Sequence, residues 1–241
     1  MRSLEAAVAD YELLLGRRAD HPNTLFQLAN MRLQLRSSAA GPEGLCELGF
    51  AVGDLGRARQ LLERRAIPAT GDTAARRFSL AAAATHGVPI SAIERAIDGS
   101  GAEPSPLVLA DTRAAVTGLD HVVVRSPNPE RAIALYAGRL GLSLRLDRTE
   151  PMWGARLLFF RCGDLIIEIA HDLKGGVSDG PDRLWGLSWR VPDVGRAHAR
   201  LRAQGVAVSE VRAGRRPHTQ VFTVKSHTAQ VPTSMIGPIA L

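Results

Sequence analysis

Apolar and polar positions follow two rhythms along this chain. In LDHVVV (119–124) a period of two separates His121 and Val123 from Asp120, Val122 and Val124, which predicts a strand. RSPNPE follows, and its prolines end that strand; Asn128 is placed to cap a helix, with Pro129 at the first helical position. Ala132, Leu135, Tyr136 and Leu140 then recur at helical spacing. RLLFFRC (156–162) and DLIIEIA (164–170) are short β-rich runs parted by a turn at Gly163. The unit reads β-α-β-β-β.

The same pattern recurs because the chain repeats itself. A shift of 139 lays LCELGFAVGDLGRARQLLERRAI (45–67) on LWGLSWRVPDVGRAHARLRAQGV (184–206) without a gap, with eight identical positions. A shift of 125 lays LEAAVADYELLLG (4–16) on PERAIALYAGRLG (129–141), and a shift of 134 lays ANMRLQL (29–35) on GDLIIEI (163–169). The expected fold is therefore α+β: four βαβββ modules in two tandem pairs. The boundaries expected are 1–97, a linker at 98–117 around DGSGAEPSP (98–106), and 118–241. The first module lacks a counterpart of LDHVVV. Either the start of translation is placed too late, or something else fills that slot, such as another chain; in-frame upstream codons spelling a strand support the former.

Composition narrows the class. A chain of 241 residues, 45% hydrophobic and 22% charged, has material for real cores and is not disordered. Its N-terminus mixes Glu, Asp and Arg into the apolar residues, unlike a signal peptide, and no apolar run is long enough for a membrane span. Cys46 and Cys162 form no motif, so two buried thiols in a cytoplasmic protein are expected. The net charge of +6 lies wholly in 118–241, mostly in 183–225. The cations there are scattered rather than run together, which argues against nucleic acid as a partner.

Paired modules carrying LDHVVV…NPERAIALYAGRLGL, GDLIIEIA and GLSWRVPDVGRAHARLRAQGV resemble the vicinal oxygen chelate superfamily, which holds the glyoxalases, extradiol dioxygenases, epimerases and bleomycin-resistance proteins. The resemblance implies that each pair of modules curls into a half-barrel cup. It also implies a divalent metal (Zn, Ni, Mn or Fe) held by residues from the first and last strands of each module, acting as a Lewis acid. His121 stands at the first-strand ligand position and Glu168 at the last-strand carboxylate, where it can also take a proton as the catalytic group. The plain alternative is a strand-edge His and a solvated Glu. The partner module does not complete the set: Gly186 stands where a second His belongs, and the final position is Ser234 or Ala240. In the first half Gln34, Glu47 and Ser91 take the ligand positions.

The remaining candidates concern a ligand. Trp153, in a turn-rich stretch, is expected to touch one, whereas Trp189 alternates with Leu187 and Val191 and reads as core. Arg156, Arg190 and Arg216 are candidate binders of a planar anion. His171 falls on the face opposite Glu168 and is expected to be solvated, and His198 to lie on a helix surface. Two functions follow: a metal-dependent lyase or isomerase of the glyoxalase type (less readily a dioxygenase) acting on a small anionic molecule, or a metal-free small-molecule binding protein of the drug-sequestering type. A homodimer is compatible with either, and no membrane partner is expected.

Overall fold

The computed structural model describes residues 3–22, 24–37, 43–71, 76–95 and 103–239. The chain forms two compact units, each drawn from both halves of the sequence. One comprises 1–44, 102–122 and 186–241, the other 45–101 and 123–185.

The first unit opens with α1 (Leu4–Leu15), started by the Ser3 hydroxyl, which accepts from the Ala6 N–H, and ended by Gly16 in the left-handed conformation. Two short strands, β1 (Leu25–Gln27) and β2 (Arg32–Gln34), pair antiparallel. The unit's larger sheet has the order β12 (Arg212–Ala213), β13 (Thr219–Val224), β14 (Thr233–Pro238), β11 (Arg183–Arg190) and β7 (Gly118–Arg125). Helix α4 (Val194–Ala203) is capped by Asp193, whose carboxylate accepts from the Arg196 N–H. Its Ala197 and Leu201 are buried, as are Trp189, Phe222 and Met235 on the strands. The edge of the His198 ring packs against Phe222.

In the second unit β10 (Leu165–Asp172), β9 (Ala155–Cys162) and β8 (Ser143–Glu150) pair antiparallel in that order. Asn128 caps α3 (Pro129–Ile133) as the sequence predicts, but the helix then widens into a π-helical stretch, Ala134–Arg139. Leu135 and Tyr136 are fully buried there, together with Leu158, Phe160, Ile167 and Ile169 of the strands. A separate sheet in this unit has the order β3 (Leu48–Val52), β6 (Ile90–Glu94), β5 (Arg77–Leu80) and β4 (Ala69–Thr70), with α2 (Leu55–Arg64) capped by Asp54.

Three of the four expected modules are therefore complete. The first has only α1, β1 and β2 among the described residues. Within the expected linker, 98–102 lie outside the described residues.

Candidate functional site

Strand β7 buries Asp120, Val122 and Val124 and leaves His121 and Val123 half-buried, so the alternation read from the sequence holds. Asp120, the one carboxylate in this apolar run, organises its surroundings. Its Oδ2 lies 2.9 Å from His121 Nδ1. Arg216 Nη2 donates to both carboxylate oxygens at 2.9 and 2.8 Å, and Arg190 Nε approaches Oδ1 at 3.4 Å. Burial pushes the Asp120 carboxyl up, but hydrogen bonds from His121 and Arg216 and the Arg216 charge outweigh it, holding the group well below the usual carboxylate range. Arg216 reaches Asp120 from the tight loop between β12 and β13, which is closed by Gly214 N–H to Thr219 C=O and by the Thr219 hydroxyl on the Arg216 carbonyl. The Arg216 side chain is 60% exposed and anchored through Nη2.

Other positions fall out differently. Gly186 is buried, and a β-carbon there would lie 2.6 Å from the Pro232 carbonyl oxygen, so the second-His position has no room for a side chain. Ser234 donates to Ser188 across the β11–β14 register at 2.9 Å, and Ala240 lies outside the described residues. Glu168 sits half-buried on β10 opposite Phe159, between buried Ile167 and Ile169. It belongs to the second unit and His121 to the first. Arg156 is clamped by Asp147 at 2.9 and 2.7 Å and by Glu130 at 2.6 Å; the hydrogen bonds it donates to Asp147 and Glu130 raise its pKa further. Trp153 is 43% exposed beside Arg148, Trp185 is stacked under Arg125 at 3.6 Å, and Trp189 is core. In the first half Ser91 is fully buried, Gln34 is exposed and Glu47 pairs with Arg77.

Three side chains correct the sequence reading. His171 does face away from Glu168, but into the interior, 4% exposed, with Nδ1 3.1 Å from the Ser126 carbonyl. Cys46 is exposed and Cys162 half-buried, rather than both interior. Asp120 is the residue that the sequence reading passed over. The available signal was an acidic group inside a β-branched run, where burial is tolerated only with partners.

Residues 120–222 match the family model of the Glyoxalase/Bleomycin resistance protein/Dioxygenase superfamily. The second half of the chain is similar to this superfamily over those residues. Methylmalonyl-CoA epimerase from Mycobacterium tuberculosis is similar at 23% identity and TM-score 0.46, over 55% of this chain and 93% of its own. A hypothetical protein from Bacillus halodurans C-125 matches at 20% identity and TM-score 0.44, over 51% and 95%. Streptomyces coelicolor methylmalonyl-CoA epimerase, in complex with 2-nitronate-propionyl-CoA, matches at 16% identity and TM-score 0.44, over 52% and 100%. No curated protein matches.

The donor set of this glyoxalase-like half does not fit a divalent cation. Among the described residues no group of three or more His, Cys, Asp and Glu side chains could hold one. The carboxylate behind His121 is also bound by Arg216 and Arg190, whose charges oppose a dication at the imidazole.

Proposed function

We propose that the glyoxalase-like half binds a small anionic molecule through Arg216, beside His121, with no divalent metal required. Arg216 carries the reading: a mostly exposed guanidinium, pinned at one nitrogen to a buried carboxylate, presents its remaining N–H groups in a fixed direction. Arg190, on the same carboxylate, adds positive potential. Trp153, exposed on its turn in the second unit, remains a proposed ligand contact in its own right. Arg156 is assigned to its two carboxylates instead.

One observation favours the rival reading, a metal-dependent lyase or isomerase using His121 and Glu168. A carboxylate on Nδ1 orients an imidazole as metal-binding histidines are oriented. Metal analysis of the purified protein beside His121→Ala separates the two. The proposal expects no stoichiometric metal in either; metal bound one to one and lost on substitution supports the rival. Among the described residues no helix is long and apolar enough to cross a membrane; a cytoplasmic location and a homodimer belong to the proposal.

A further inference from the structure

Within the first unit β11, β14 and β13 lie side by side, and helix α4 covers one face of them. Trp189, Met235 and Phe222 stand in register on that covered face and are fully buried, with the His198 ring of α4 against Phe222. Side chains alternate along a strand, so the residues between them point to the opposite face. Arg190, Ile236 and Val221 form one row there, and Ser188, Ser234 and Thr223 form the next. The Arg190 row adjoins the proposed anion site, because Arg190 Nε approaches the carboxylate that holds Arg216. Two strand positions, about 7 Å, separate it from the row of hydroxyls.

That second row carries more polar groups than the fold uses. Its three hydroxyls make one hydrogen bond among the described residues, between Ser234 Oγ and Ser188 Oγ at 2.9 Å. Whichever oxygen donates, one proton of the pair is left over, and the Thr223 hydroxyl keeps its own. Ser188 is 1% exposed, a position where an unused donor costs stability. Ser234 and Thr223 are half-buried and open the row to a solute. Ile236 and Val221, beside Arg190, offer an apolar strip next to it.

We propose that this row receives a second oxygen of the ligand held at Arg216, which makes that ligand a short-chain acid bearing a hydroxyl or carbonyl oxygen about 5–7 Å from its carboxylate. The inference rests on the anion site proposed above and adds the chemical class of its ligand. Arg216 takes the carboxylate, Ile236 and Val221 meet the methylene chain, and the spare hydroxyl protons of Ser188 or Ser234 and of Thr223 donate to the far oxygen.

Calorimetric titration of the full chain with γ-hydroxybutyrate and with butyrate, which differ by that one oxygen, tests this. The hydroxylated acid binds about tenfold more tightly, as one or two added hydrogen bonds allow. In Thr223→Val and in Ser188→Ala, each shown to be folded by its thermal unfolding, the two acids bind within about twofold of one another. Equal affinities in the unaltered protein, both lost in Arg216→Ala, overturn the role of the row and leave the anion site standing. Binding of neither acid overturns both. A preference that survives both substitutions places the partner of the second oxygen elsewhere and overturns the proposal as well.

Discussion

A side chain at Gly186 would press on the Pro232 carbonyl, and a buried carboxylate at Asp120 gathers two guanidinium groups and an imidazole. Both positions were visible in the sequence, but only one drew attention. Gly186 stood out because the repeat and the resemblance set an expected residue against it. Asp120 did not, since its partners Arg190 and Arg216 are 70 and 96 residues away. Restoring the family residue with Gly186→His will not build a metal site; it will destabilise the fold by about 1–3 kcal/mol, as overpacking does, read by urea unfolding. Asp120→Asn removes charge from a buried ion pair and should cost about 2 kcal/mol. Its sign with pH is definite. The folded carboxyl is depressed, so its contribution is complete above about pH 3.9 and fades as pH falls through that range. The unfolding free energy of Asp120→Asn should therefore fall less steeply below about pH 4 than that of the parent, and parallel acid limbs would contradict the assignment.

One helix was legible from its start, at Asn128. Asp54 and Asp193 likewise accept from the N–H three residues on, which is why the repeat preserves Asp-x-Gly-Arg. The π-helical stretch was not, because burying Leu135 and Tyr136 against the strands decides it rather than local propensity. Nor was the end of α1, which has no basic residue in its last turn. Arg200 of α4 supplies one from afar, donating to the Leu13 and Leu14 carbonyls at 2.6 and 2.9 Å and to Ala114 at 3.3 Å. Burial pushes its pKa down to about 10, so it stays charged at neutral pH. Arg200→Met should lower stability by about 2–3 kcal/mol and speed amide exchange in the last turn of α1. Equal loss with unchanged exchange there would place its role elsewhere.

Across the whole chain, the repeat foresaw an α+β protein of glyoxalase-like fold. It could not show that β3 would end its sheet among the described residues, because edges depend on which strands find partners. The excess positive charge of the second half is met in part by Asp120, whose two arginines include one that is 60% exposed. Anion binding there should weaken with ionic strength, since an exposed guanidinium is screened. The most direct test is calorimetric titration of the metal-stripped protein with succinate and with inorganic phosphate, beside Arg216→Ala. The account predicts saturable, salt-sensitive binding of at least one anion without metal, weakened about tenfold or more by the substitution. Binding that appears only after a divalent cation is restored, or that is indifferent to Arg216, would contradict it.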